Sequence, residues 1–120
     1  SHYLFSRITM IDITVELLGG FESYASDAVL SLNVDPDSTV TSIAHMLESE
    51  VFARKDGSVA EGFHADAMRL TSRDASDKIE GLQDGVLVLV NDVDIELLDG
   101  HDTRIVSGDR VAYMSLMHGG

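Results

Sequence analysis

Ile11-Asp12-Ile13-Thr14-Val15-Glu16-Leu17 alternates apolar and polar residues without a break, and the fold turns on this segment. Successive side chains of a strand point to opposite faces, so the pattern describes a strand with one buried face. Gly19-Gly20 then supplies a turn, and Phe21 to Val34 is expected to return as a second strand. Val29, Leu30, Leu32 and Val34 are its apolar content. Glu22 to Asp27 are weakly patterned, so the turn between the strands can be longer than two residues.

Downstream of this opening hairpin, Asp35-Pro36-Asp37-Ser38 reads as a stop followed by a helix start. Proline pushes Asp35 out of helical geometry, and Asp37 or Ser38 can cap the next amides. Val40, Ile43, Ala44, Leu47 and Val51 recur at helical spacing, which predicts a helix of about three to four turns with one apolar stripe. From Arg54 to Gly85 the pattern weakens, punctuated by Gly57, Gly62, Gly81 and Gly85. That stretch reads as a long connection or insertion, with a short helical turn expected at Asp66 to Leu70.

Order returns at Val86-Leu87-Val88-Leu89-Val90, a continuous apolar run expected to be a strand buried on both faces. Asn91-Asp92 opens a turn, Ile95 to Leu98 reads as a short strand, and Asp99-Gly100 breaks the chain. Ser107-Gly108-Asp109 is a further turn before a last strand, Val111 to Leu116. A hairpin, a helix and three more strand segments predict an α+β fold of the β-grasp type. In it a mixed sheet packs on one main helix and the final strand runs centrally.

The 120 residues suit one domain with a single core. The expected division is an N-terminal segment at 1–7, one domain at 8–116 containing the 54–85 connection, and a flexible tail at 117–120. Ser1 to Arg7 has neither the basic nor the apolar region of a signal peptide, and Ser1-His2 reads as an expression remnant. There is no cysteine, which excludes a disulfide framework, a thiolate metal site and a cysteine nucleophile. No apolar run approaches the length of a membrane span, so no membrane partner is expected.

The net charge is −13, with Lys55 and Lys78 the only lysines. Such a surface repels phosphate backbones, so direct nucleic-acid binding is not expected, and encounter with basic protein surfaces is favoured. An acidic solvated exterior explains the charge equally well.

Motifs for intrinsic catalysis are missing. The chain has no Gly-x-Ser-x-Gly elbow, no phosphate loop and no zinc-protease motif, so no catalytic residue is assigned. Asp92, Asp94 and Glu96 share one parity and could turn three carboxylates toward a hard cation. The calcium-loop spacing fails there, since no glycine follows at the required offset, so a solvated turn is the expectation and no metal is assigned. His45, His64 and His101 lack metal-ligand spacing. Met10, Met46, Met68, Met114 and Met117 read as core fillers or apolar surface.

The chain closes on His118-Gly119-Gly120. Two glycines carry no side chain and little restraint, so they can thread a narrow channel and present a bare carboxylate to an activating enzyme. Val86-Leu-Val-Leu-Val-Asn-Asp-Val-Asp-Ile-Glu-Leu-Leu98 followed by Ser115-Leu-Met-His-Gly-Gly120 resembles the ubiquitin-related modifier family, the eukaryotic sulfur carriers. Gly108-Asp109-Arg110-Val111 looks like the turn before the last strand in the wider sulfur-carrier superfamily. The specific motifs cover about the last 35 residues, and the hairpin and helix agree in periodicity. Ile95 stands where many members have tryptophan and Met117 where they have leucine, both apolar exchanges that packing accommodates.

The resemblance implies that Gly120 is adenylated and then thiocarboxylated, and that it also forms isopeptide links to lysines of target proteins. Gly119 and His118 would be read by the activating enzyme. It implies as partners a ubiquitin-activating-like enzyme with a sulfurtransferase domain and a tRNA thiolase complex acting on the wobble uridine. ATP would be used by that enzyme, and no cofactor would be bound by the chain. The chain would be a substrate rather than an enzyme, a monomer, and cytoplasmic, with the nucleus as an alternative. Four residues past Leu116 reach roughly 13 Å when extended. An imidazole beside the terminus could also accept a proton, although geometry on a flexible tail is poorly held and a recognition role is the plainer one. Two other readings stay open: a carrier for molybdopterin or thiamine synthesis, and a non-covalent β-grasp interaction module.

Overall fold

A computed structural model describes residues 9–52, 70–73 and 79–116. Strand β1, Ile11–Leu18, buries Ile13, Val15 and Leu17 and turns Asp12, Thr14 and Glu16 outward, as the alternation requires. Strand β2, Val29–Val34, pairs with it antiparallel, from Ile11 opposite Val34 to Glu16 opposite Val29. The return begins later than Phe21. Phe21–Tyr24 forms a 3₁₀ turn that buries both aromatic rings, with the Tyr24 ring centre 5.1 Å from that of Phe52 and 6.4 Å from that of Phe21, tilted against both. In a 3₁₀ turn residues three apart share a face, so one short turn delivers both rings to the core.

Helix α1, Val40–Met46, continues as a π-helical turn over Leu47–Val51. Its cap is Thr39, one residue beyond the expected Asp37 or Ser38. The Ser42 N–H donates to Thr39 Oγ1 at 3.1 Å and the Thr39 N–H donates to Ser42 Oγ at 2.8 Å. Asp37 is instead held by Arg104 at 2.6 Å, and the Ser38 carbonyl accepts the Ile105 N–H, which moves the start of the helix onward. Val40, Ile43, Ala44 and Leu47 are buried and Val51 is half-buried, the predicted stripe.

The connection at 54–85 contains structure that periodicity did not show. Strands β3, Thr71–Arg73, and β4, Ile79–Leu82, pair antiparallel as a separate two-stranded unit, and Leu70 before them is fully buried. Glu48 ties this unit to the helix: its buried carboxylate accepts the Thr71 N–H at 3.0 Å and the Thr71 hydroxyl. The helical turn expected at Asp66 to Leu70 falls, apart from Leu70, outside the described residues.

Strand β5 is Val86–Val90, β6 is Val93–Asp94 and β7 is Arg110–Ser115. The five-stranded sheet runs β2-β1-β7-β5-β6, with β7 parallel to β1 and antiparallel to β5, which is the predicted mixed β-grasp sheet with its final strand central. Two expectations need correction. Strand β5 is not buried on both faces: Val88 and Val90 enter the core, whereas Leu87 and Leu89 lie half-buried on the open side of the sheet. The strand expected at Ile95 to Leu98 is a 3₁₀ turn over Ile95–Leu97, because the Asp94 carboxylate captures the Glu96 N–H at 2.8 Å and starts a turn.

Beyond that turn the chain crosses the helix start, where Val40 N–H donates to Thr103 O and fully buried Ile105 locks against Ser38. Tyr113 in β7 lies wholly in the core and donates its hydroxyl to the Val40 carbonyl at 2.6 Å. Burial without a compensating charge holds this phenol well above the ordinary tyrosine range. Sheet and helix are therefore joined through the same strand that carries the tail.

Candidate functional site

Met117, His118, Gly119 and Gly120 lie outside the described residues, as does the segment 1–8. What the structure gives is the root from which the tail starts. Strand β7 ends at buried Ser115, opposite Val86 of β5, and the Leu116 N–H donates to the Gly85 carbonyl at 2.7 Å. Leu116 itself is about half exposed. Because β7 is central, the chain leaves from the middle of the sheet's end, flanked by the β1–β2 turn and the loop before β5.

Gly19 in that turn has a φ of +65°, which side-chain-bearing residues rarely adopt. A Cβ there would lie 2.9 Å from the Ser115 nitrogen, still nearer its carbonyl oxygen, and 3.1 Å from Met114 Cγ. The glycine thus sets how closely the turn approaches the tail root. Sequence reading took it only as a turn former; the close approach depends on β1 and β7 being neighbours, which no local pattern states.

The open face of the sheet beside the root is apolar. Leu18 and Leu87 both stand in register with Met114, from either side, and Leu89 is paired with Ala112 behind them. Leu18, Met114, Leu87 and Leu89 are half-buried rather than covered. Toward the other end of β7 the same face becomes ionic: Arg110 meets Glu16 at 3.0 Å and Asp92 at 2.7 Å. The hydrogen bond and charge of Asp92, then the charge of Glu16, push the guanidinium's pKa still higher.

The Asn91-Asp92-Val93-Asp94 segment is explained by this ionic end. Asn91 and Asp92 have φ of 51° and 70°, the left-handed pair of a tight hairpin turn, a conformation asparagine and aspartate tolerate best. Asn91 Oδ1 accepts the Arg110 N–H at 3.0 Å and Asn91 Nδ2 donates to Asp109 at 2.8 Å. Asp109, buried, also accepts the Val106 N–H at 2.8 Å. Asp92 is engaged by Arg110 and Asp94 by the Glu96 N–H, so these carboxylates turn to separate partners rather than one cation. Among the described residues no group of three or more His, Cys, Asp or Glu is placed to hold a metal ion.

Of the remaining candidates, His45 is exposed, and His101 packs over Gly81, where a Cβ would come within 2.6 Å of Nδ1. His64 and Met68 lie outside the described residues. Met46 and Met114 are half-buried and Met10 is exposed. Among the described residues no helix is long and apolar enough to cross a membrane.

The sequence model of the family described as ubiquitin related modifier matches residues 12–120. A ubiquitin-related modifier 1 homolog of Caenorhabditis elegans is 29% identical over 113 residues, spanning 94% of this chain and 100% of the relative. The solution structure of Urm1 from Trypanosoma brucei superposes with a TM-score of 0.61 at 26% identity, covering 92% of this chain and 97% of that one. The small archaeal modifier protein 1 of Methanosarcina acetivorans shares the fold, with a TM-score of 0.63 at 17% identity over 92% of this chain and 98% of its own.

Proposed function

Because the chain belongs to the ubiquitin-related modifier family, we propose that it carries sulfur on the C-terminal carboxyl of Gly120 and is also conjugated through that carboxyl to lysines. The observation that carries this reading is the tail root: a central strand pinned by the Leu116 to Gly85 bond, four residues before Gly120. A rigid root and a short diglycine tail deliver a bare carboxylate to an enzyme channel roughly 13 Å away.

A carboxylate is a poor electrophile. Its attack on the α-phosphorus of ATP, with release of pyrophosphate, makes an acyl-adenylate whose leaving group is AMP. A persulfide on the activating enzyme's sulfurtransferase domain displaces AMP and forms an acyl disulfide. Reductive cleavage by a thiol then leaves the thiocarboxylate on Gly120 and a disulfide on the enzyme. The chain is the substrate throughout, needs no cysteine and binds no cofactor of its own. Leu18, Leu87, Met114 and Leu116 would meet the activating enzyme, since burying apolar area beside the tail fixes its direction.

The net charge of −13 argues that a tRNA thiolase holds the RNA while this chain docks on protein, consistent with a monomer working in a reducing cytoplasm. Removing Gly119-Gly120 in the chain's own cells should abolish both 2-thiouridine at the tRNA wobble position and lysine conjugates. Intact thiouridine with loss of molybdopterin or thiamine synthesis would instead assign the carrier to those routes. His118→Gln should thiocarboxylate with an unchanged pH profile if His118 is a recognition residue; a lost acidic limb would make it a proton acceptor.

A further inference from the structure

The edge of β5 opposite β7 is only partly covered. The Leu116 N–H bonds to Gly85 O and the Asn91 N–H to Arg110 O, so residues 85, 87, 89 and 91 turn their main-chain groups toward β7. Val86, Val88 and Val90 therefore face the other way. Strand β6 reaches only Leu89 and Val90, and the Val86 N–H is taken by Gln83 O at 3.3 Å. The Val86 carbonyl and both main-chain groups of Val88 are left with no strand beside them among the described residues.

No described segment continues along this edge past Asp94, which starts a 3₁₀ turn at Ile95 and leads the chain away. Between the two arms lies a cleft of about 490 Å³, bounded by Gln83 to Val88 on one side and by Asp94, Ile95, Glu96 and His101 on the other. Asp84, Asp94 and Glu96 put three carboxylates on its rim, and no lysine or arginine is among its described lining. His101 forms one wall, seated there by the missing side chain of Gly81.

We propose that this cleft is a docking site for an extended, lysine- or arginine-bearing segment of a partner protein, which adds to the β5 edge as a short strand. Main-chain groups with no described strand beside them offer a ladder to another main chain, and alternate side chains of the incoming segment meet the rim. The rim selects cations, and a second copy of this chain is excluded as occupant because it would bring −13 against −13. The cleft adjoins the tail root through Gly85 and Val86. If Gly120 carries an activated carboxyl, a point that rests on the proposed function, a segment bound here holds its lysines within the tail's reach of roughly 13 Å.

The test uses the full chain, isotope-labelled, titrated with an acetylated peptide alternating lysine and valine and with its glutamate–valine counterpart. The lysine peptide should shift the amides of Gly85, Val86, Val88 and Glu96 and slow hydrogen exchange at Val88, while the glutamate peptide does neither. Asp84→Lys combined with Glu96→Lys, both exposed positions, should weaken binding about tenfold and reduce its salt dependence. Shifts confined to the β2 edge, diffuse shifts over the acidic surface, no binding, or full affinity in the double variant would each overturn the proposal. The double variant should still be thiocarboxylated by the activating enzyme. Lost peptide binding with thiocarboxylation intact in the unaltered chain breaks this inference alone, and the reverse result breaks the carrier reading alone.

Discussion

The two ends of strand β7 are held by different physics. At its start, Asp109 and Arg110 sit in a net of short polar contacts with Asn91, Asp92, Val106 and Glu16. At its finish, Leu116 donates a main-chain bond to Gly85, Gly19 approaches Ser115 closely, and the neighbours across the open face are apolar. The Asn91-Asp92-Val93-Asp94 segment belongs to the first end and is a fold device. The proposed chemistry belongs to the second end, which is built from glycines and half-buried leucines. The polar end fixes the start of the strand, and the apolar end forms the root of the tail.

Changes at each end test that division. Deleting Gly119-Gly120 should remove all thiocarboxylation while leaving the midpoint of thermal unfolding where it was. Gly19→Ala should cost about 3 kcal/mol in denaturant titrations, from a strained backbone and a Cβ driven into Ser115. It should also slow adenylation in the folded protein by displacing the root. Asp109→Ala should cost about 2 kcal/mol by orphaning the Val106 N–H and the Asn91 amide. Yet its folded fraction should be adenylated at the normal rate. Equal slowing in the Gly19 and Asp109 variants would erase the distinction between the ends.

The smallest effect sits between them. Tyr113→Phe removes the bond to Val40 and should cost about 1 kcal/mol at neutral pH. The folded phenol is raised above the unfolded value of about 10, so below that pH both states keep the proton and stability is unaffected. As pH climbs past it the unfolded chain ionises first, and stability falls. The Phe variant should lack that part of the alkaline decline, which unfolding midpoints measured across that range would show.

Much of the scaffold was legible because its signals are local. Ile13, Val15 and Leu17 announce β1, and Val40, Ile43, Ala44 and Leu47 announce the buried stripe of α1. Where reading stopped short, a distant partner decided the outcome. Thr39 rather than Asp37 or Ser38 caps the helix because Arg104 and Ile105 occupy the alternatives. Glu48 can be buried because Thr71, 23 residues on, supplies both donors. The run Val86 to Val90 carries no mark of which face stays open, since that depends on where α1 packs. At the candidate site the diglycine was plain in the sequence, whereas its root needed the β1–β7 adjacency that only the sheet order supplies.

The central claim is that Gly120 is the atom-bearing end of a carrier, and the mass of the intact chain tests it most directly. Incubated with ATP, the cognate activating enzyme and a sulfur donor, the chain should gain the mass of one oxygen-to-sulfur exchange, located at Gly120 by fragmentation. An unchanged mass, with the same enzyme shown to be active on another carrier, would contradict the account.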